Sequence, residues 1–359
     1  MKNIHNSDKK FCQPFVEYPT VPAETFFDTI HDLTYSAKLL CLISSSIQLG
    51  IFDELETWQI SDDIAEKFPN PDFIRGIIEC LVHSGFLERK EGMIKNSLLS
   101  QIYLSTVSPY YQGSFLEKNI RHLQDLWIPL KKNTLEGPVR YHEDTFYSEY
   151  SLPSMAENAM SGRLQKVIYE ITKIPSFNLM KKGLDIGGGH GLYGIALACL
   201  NKNMIVTIFD MPGVIHITEK YISHYQMQSR VHTLGGNFFY DSFGAEYDII
   251  LSSSNPSGKN PIMLEKISKA LLPGGFFVSI QPGDADVPYD PIHELEWNLW
   301  TFEEVLEPKF TWSKNKKFLT PDYKNELIKQ GFSIHSIIPV HDPYIKGFQV
   351  TMLIAEKRI

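Results

Sequence analysis

The segment Leu184-Asp185-Ile186-Gly187-Gly188-Gly189-His190-Gly191 carries the densest chemical signal in the chain. An apolar run with an acid near its end passes into four glycines and then into a helical stretch. Glycines at a strand-to-helix turn let a ligand lie against bare backbone, and the helix start offers free N–H groups to a carboxylate or a phosphate. Gly189-His190-Gly191-Leu192-Tyr193-Gly194 also fits the GxGxxG spacing of dinucleotide sites. In that fingerprint the first glycine follows the strand directly, whereas this strand ends at Asp185, and an acid there repels a pyrophosphate. Asp185 suits a ligand with an ammonium group instead. Asp210 closes a second apolar run, Ile208-Phe209-Asp210, where it is placed to accept the two hydroxyls of a ribose. An amino acid joined to a ribose describes S-adenosylmethionine (SAM). A nicotinamide dinucleotide stays open as the alternative on glycine spacing alone.

Holding these groups together requires a sheet. Strands are predicted at Gly183–Ile186, Met204–Phe209, Arg230–Leu234, Asp248–Ser252, Phe276–Gln281, Ser333–Val340 and Phe348–Ala355, with helical stretches between most of them. That alternation is an α/β pattern, a Rossmann-like parallel sheet covered on both faces. The last two strands follow each other across Asp342-Pro343-Tyr344, too short for a helical crossover, so they must pair antiparallel.

The N-terminal part reads differently. A helix is predicted over 29–49 with Gly50 as its left-handed stop, a second at Ser61-Asp62-Asp63, and a third opening at Asn70-Pro71-Asp72 and closed by Gly85. Phe86-Leu87-Glu88 and Met93-Ile94-Lys95 then flank the turn Lys90-Glu91-Gly92 as a hairpin, an order of elements that describes a winged helix. Residues 1–100 hold 9 Lys+Arg against 15 Asp+Glu, and the presumptive recognition helix offers only Arg75. Phosphate neutralisation needs several cations on one face, so a structural or dimerisation role rather than nucleic-acid binding is expected. Three regions follow: a winged-helix-like dimerisation domain at 1–104, a helical linker and substrate-pocket region at 105–180, and a cofactor-binding domain at 181–359.

Composition is that of an ordinary globular protein. The 359 residues are 43% hydrophobic and carry a net charge of −8, which opposes a surface built for nucleic acid. Cys12, Cys41, Cys80 and Cys199 lie far apart without a CxxC pair, and no histidines have metal-ligand spacing. No metal is expected. No apolar run approaches the roughly 18 residues of a membrane span, and Met1–Lys10 is too polar for a signal peptide, so a cytoplasmic location is expected. Aromatic residues make up 12% of the chain and concentrate between Tyr103 and Tyr150 and again at Trp297, Trp300, Phe302, Phe310 and Trp312.

With these motifs in order, the sequence resembles the SAM-dependent O-methyltransferases of the caffeate, acetylserotonin and hydroxyindole type. The matching residues are Leu184–Gly191, Ile208-Phe209-Asp210-Met211-Pro212, Gly235-Gly236-Asn237-Phe238-Phe239, Leu271-Leu272-Pro273-Gly274-Gly275 and Phe318-Leu319-Thr320-Pro321. The stretch from Gln48 to Leu87 is similar to that family's winged-helix dimerisation domain. The resemblance implies that Gly187 and Gly189 cradle the methionine moiety and that Asp185 faces its ammonium. It implies too that Asp210 holds the ribose, that Met211 and Phe238 sandwich the adenine, and that Asn237 accepts the adenine amino group in place of the family's usual Asp. Ser252 and Ser253 would border the cofactor, and Arg163 would pair with the methionine carboxylate or with a surface acid.

The family's base is missing. Its signature after the fourth strand is a His followed by Asp and Trp, but here the strand runs into Ser252-Ser253-Ser254-Asn255-Pro256-Ser257-Gly258-Lys259, and the His position falls on Ser257 or Ser253 by either alignment. A phenol of pKa about 10 is largely protonated at neutral pH, so a base contributes roughly 10² to 10⁴-fold. His293 is the expected replacement, or Glu294 or Glu296 beside it. Otherwise the acceptor is a thiolate or activated carbon that needs no base, or SAM is bound without methyl transfer. The acceptor pocket is expected from Trp127, Tyr147, Met155, Met160, Trp297 and Trp300, because flat rings align a planar substrate and thioethers adapt around it.

Overall fold

A computed structural model describes residues 18–255, 259–282, 290–303, 320–343 and 349–358. The chain divides into two compact units between Gln101 and Ile102.

In the first unit α1 (Ala23–Gln48) starts six residues before its predicted position, because nothing between Pro22 and Gly50 breaks it, and it stops where Gly50 takes φ +71°. Of its length only Ile43, Ser44 and Ser46 are buried. There follow β1 (Gln59–Ile60), α2 (Ser61–Ala65), α3 (Pro71–His83), β2 (Leu87–Lys90) and β3 (Met93–Asn96). Glu91 and Gly92 both have positive φ, the geometry of a two-residue hairpin turn. The sheet order is β1-β3-β2, all antiparallel. β1 is two residues long and offers no periodicity to read. Ile51, Phe52, Leu55, Ile64, Ile78, Leu81 and Ile94 fill the core of this unit.

After α4 (Leu98–Tyr103), the second unit opens with a helical layer. α5 (Gly113–His122) widens into a π turn over Leu123–Trp127 before Pro129 stops it, and α6 (Leu130–Glu136) and β4 (Val139–Tyr141) follow. Next come α7 (Glu143–Thr145), a π turn at Phe146–Ser151, α8 (Leu152–Asn158), a π segment at Ala159–Arg163 kinked at Gly162, and α9 (Leu164–Thr172). The predicted sheet then appears as β5 (Lys182–Ile186), α10 (Leu192–Leu200), β6 (Ile205–Asp210), α11 (Pro212–His224), β7 (Val231–Gly235), β8 (Tyr247–Ser253), α12 (Pro261–Ala270) and β9 (Leu271–Pro282). α13 (Pro291–Asn298), β10 (Trp300–Phe302), α14 (Thr320–Lys329), β11 (Phe332–His341) and β12 (Gln349–Lys357) complete it.

The seven strands run in the order β11-β12-β9-β8-β5-β6-β7. β5 to β9 pair in parallel, and β12 is antiparallel to both β9 and β11 as the short connection requires. Strand order reverses about β5, so the crevice beyond the C-terminal ends of β5, β6 and β8 is the place where such sheets bind ligands. One pairing lay below the reach of sequence: β4 and β10 form a short parallel ribbon, Trp300 opposite Val139.

Candidate active site

The glycine loop is tied down on every side. Gly187 donates its N–H to Phe209 O at 2.7 Å, Thr218 Oγ1 donates to Gly189 O at 2.6 Å, and Gly189 donates to Asp210 Oδ2 at 2.7 Å. Gly187, Gly189 and Gly191 take φ of +65°, +53° and +75°. A Cβ on Gly187 would lie 2.6 Å from Asn255 Nδ2, and one on Gly189 would lie 2.9 Å from Leu152 Cδ2. Backbone conformation therefore favours glycine at all three positions, and a Cβ at Gly187 or Gly189 would also push the end of a neighbouring side chain aside.

Asp185 and Asp210 stand at the ends of adjacent strands. Asp185 is fully buried; its Oδ2 accepts the Gly194 N–H at 3.1 Å, and its Oδ1 has no partner. Burial pushes its pKa up to about 7. A buried carboxylate oxygen without a donor is costly, and a ligand ammonium would satisfy it. Asp210 accepts the N–H groups of Gly189 and Met211, each at 2.7 Å, while burial raises its pKa.

A small cavity opens beside Asp185 and the glycine loop. Leu152, Met155, Arg163, Tyr193, Asp185, Gly187–Gly189, His190, Ser253 and Ser254 line it. The Ser252 and Ser253 hydroxyls are buried without partners. Arg163 donates to Asp342 Oδ2 at 2.8 Å and to the Tyr193 hydroxyl at 3.2 Å. His190 is buried, not solvent-facing, and its Nδ1 accepts the Leu192 N–H at 3.1 Å as the cap of α10. Burial, with Arg163 adding to it, holds His190 down to about 3, so it stays neutral. Asn237 is exposed and its Oδ1 accepts the Phe239 N–H at 2.9 Å, while Phe238 packs against Phe209 at a ring distance of 5.5 Å. Tyr193, Leu152 and Asp342 join the site without any signal in the sequence.

The expected acceptor residues gather only in part. Trp127 and Tyr147 pack against a buried group of Leu126, Phe146, Leu299 and Trp300, with Phe146 stacked on Trp300 at 4.4 Å. Tyr147 also packs, with Met155 and Met211, against Leu152, Val214 and Ile217. It thus joins the aromatic cluster to residues bordering the glycine loop. Trp297 is half exposed and meets Trp300 edge-on at 5.2 Å, whereas Met160 packs on the separate core around α9 and α10.

The base expected on α13 is not drawn into the cavity. His293 is exposed and Glu294 half-buried, its carbonyl accepting from Asn298. Glu296 is the engaged acid: its Oε1 lies 3.0 Å from His122 Nδ1, and its Oε2 accepts Trp127 Nε1 at 2.7 Å. Ser257 lies outside the described residues. Lys259 sits 5.8 Å over the Tyr323 ring. Among the described residues no group of His, Cys, Asp and Glu is arranged to hold a metal, and no helix is long and apolar enough to cross a membrane.

Comparison with known proteins bears on this geometry. Residues 143–295 match the family model described as an O-methyltransferase domain. An uncharacterized protein of Methanocaldococcus jannaschii is 32% identical over 328 residues, 87% of this chain and 86% of that one. Two solved structures share the fold. An O-methyltransferase family protein of Burkholderia thailandensis has a TM-score of 0.66 at 17% identity, covering 92% of this chain and 98% of its own. Human N-acetylserotonin methyltransferase, solved in complex with SAM, has a TM-score of 0.65 at 18% identity, covering 95% of this chain and all of its own. By these matches, which span the glycine turn after β5, the chain belongs to the SAM-dependent O-methyltransferase family.

Proposed function

We propose that the protein transfers the SAM methyl group to a hydroxyl of a small, flat, largely apolar acceptor. The observation that carries this reading is Tyr147, which packs both on the aromatic cluster around Phe146 and Trp300 and with Met155 and Met211 beside the glycine loop. An acceptor bound among Trp127, Tyr147, Met155 and Trp300 would therefore lie next to the cofactor, and Met160 and Trp297 would shape its margins.

In this reading Asp185 binds the ammonium and Gly187 and Gly189 the methionine backbone. Asp210 takes the ribose, Met211 and Phe238 flank the adenine, Asn237 meets its amino group, and Ser252 and Ser253 border the sulfur side. Arg163, already held by Asp342 and Tyr193, offers its remaining N–H groups to the methionine carboxylate. SAM supplies an electrophilic methyl group; the protein's part is to exclude water and align the acceptor in line with it.

The first unit is read as a winged-helix dimerisation domain. Phe26, Phe27 and Leu33 on α1 are each more than 60% exposed, more apolar surface than a lone helix leaves in water. Nucleic acid is disfavoured because Arg75, the one cation on α3, is already shared among Asp62, Glu66 and Asp72. A homodimer in the cytoplasm fits the free thiols of Cys41, Cys80 and Cys199.

Labelled SAM offered with a panel of phenols, thiols and carbon acids tests the reading, with transfer to a phenol expected. Tight SAM binding with transfer to none of them would favour a SAM-binding protein without methyl transfer, which the serine-rich sequence at 252–257 motivates. Light scattering of the intact protein and of its F26D/L33D variant tests the dimer.

A further inference from the structure

We propose that His122, oriented by Glu296, is the general base for the acceptor hydroxyl; the inference rests on the reading above that the acceptor is a hydroxyl compound. Among the described residues, the end of β8 and the turn after it hold Ser252, Ser253, Ser254 and Asn255 and no histidine, and His293 faces solvent. His122 has what both lack: a hydrogen bond to a carboxylate and a side chain only 13% exposed, whereas His293 acts on the same Glu296 only through its charge.

The pair is built by the π turn that ends α5. There the Ile128 N–H reaches Leu123 O, five residues back, at 2.8 Å. The widened turn brings His122 and Trp127, also five residues apart, to the same carboxylate of α13. The Trp127 indole can only donate, so Glu296 must accept. Burial pushes Glu296 up, but the hydrogen bonds from His122 and Trp127, with the charges of His122 and His293 adding to them, more than offset it and leave the acid below its ordinary range. An ionised Glu296 accepts from both neighbours, so His122 Nδ1 carries its hydrogen. The lone pair of the neutral ring is then on Nε2, which makes no hydrogen bond with the described residues. A carboxylate that fixes the tautomer and orientation of an imidazole is the arrangement of a general base.

The position agrees with the chemistry. Leu295 on α13 and Trp127 pack on the aromatic cluster at which the acceptor is proposed to bind, and Tyr147 carries that cluster to the glycine loop. In the reaction His122 Nε2 takes the acceptor's O–H proton. The oxygen's electron pair forms the bond to the methyl carbon, the pair of the breaking C–S bond stays on sulfur, and the imidazolium returns its proton to water after product leaves.

The experiment compares the wild type with the H122Q, E296Q, H293Q and H232Q variants on phenols running from weakly acidic alkyl phenols to nitrophenols. Calorimetry of SAM binding and ¹⁵N NMR of the histidines in the ligand-free protein accompany it. The expected kcat for weakly acidic phenols falls about 10²-fold in H122Q and about tenfold in E296Q. Nitrophenols, already ionised, lose far less, H232Q stays within twofold, and SAM affinity is unchanged. NMR is expected to place the proton on His122 Nδ1 in the wild type and to lose that preference in E296Q. H122N gives the same comparison should H122Q not fold. An equal loss for every phenol, a loss in KM alone, or the expected pattern appearing in H293Q instead overturns the dyad while leaving methyl transfer intact. A wild type that methylates no phenol overturns both readings.

Discussion

Asp185 binds the Gly194 N–H through Oδ2 at 3.1 Å while its second oxygen, equally buried, meets no donor. The folded protein thus penalises the charged form, and burial lifts the pKa from 3.8 to about 7. A carboxylate raised in this way contributes stability that is full below its unfolded pKa and lost as pH rises through about 7, because the unfolded chain ionises first. A ligand ammonium reverses the preference. SAM binding at pH 6 is therefore expected to release a proton, and affinity to rise between pH 5 and 7. Calorimetry at pH 6 in buffers of different ionisation enthalpy measures this; an equal release in Asp185→Asn would place the proton elsewhere.

Asp210 serves the loop before it serves any ligand. Removing its carboxylate in Asp210→Ala orphans the partly buried N–H groups of Gly189 and Met211, an expected cost of about 1 kcal/mol or more. Asp210→Asn keeps an acceptor oxygen and should recover much of that stability. Both variants are expected to lose at least about tenfold in SAM affinity, since a charged acceptor contributes roughly 1.5–3 kcal/mol per hydrogen bond. Melting temperature and calorimetry separate the two effects, and full affinity in Asp210→Asn would remove Asp210 from the ribose site.

Gly187→Ala tests the cradle itself. The residue has φ +65°, and the new Cβ would lie 2.6 Å from Asn255 Nδ2. Left-handed backbone costs a residue with a Cβ about 1–2 kcal/mol, and Asn255 must move as well. The expected result is a lower melting temperature together with SAM affinity reduced tenfold or more. Gly92→Ala pays the left-handed cost in the open hairpin turn, with nothing near its Cβ, and should leave SAM affinity unchanged; equal affinity losses in the two variants would mean that the loop is not the binding surface.

The glycine loop, both acids and all seven strands were legible because each is local: a short apolar run, its turn and its terminal acid lie within a few residues. The antiparallel end of the sheet followed from the length of one connection. Pairings across long separations were not legible. Arg163 meets Asp342 at a separation of 179 residues, and Glu296 meets His122 at 174. Neither partner's sequence neighbourhood encodes the other. The π turn at Leu123–Trp127 was hidden for a different reason: its residues suit an α-helix equally well, and only the backbone hydrogen bond from Ile128 to Leu123, five residues back, reveals the extra residue. His190, inside the glycine loop, can face either the helix cap or solvent as far as sequence goes; it caps α10, buried beside Tyr193 and Tyr221 at ring distances of 6.2 and 6.4 Å.

Arg163 and Asp342 are 12% and 7% exposed, so the pair is nearly dry. In such a place the attraction between the charges only offsets the cost of taking them from water, but breaking the pair strips a buried charge of its counter-ion. Arg163→Met is therefore expected to destabilise by about 3–5 kcal/mol, seen as a lower midpoint in urea. Arg163→Met with Asp342→Asn removes both charges and should recover a large part of that loss, because the double variant carries no uncompensated acid. SAM affinity distinguishes a cofactor role from a structural one. If Arg163 pairs with the methionine carboxylate, the double variant regains stability but not affinity; recovery of both would confine Arg163 to fastening the π segment at Ala159–Arg163 to the end of β11.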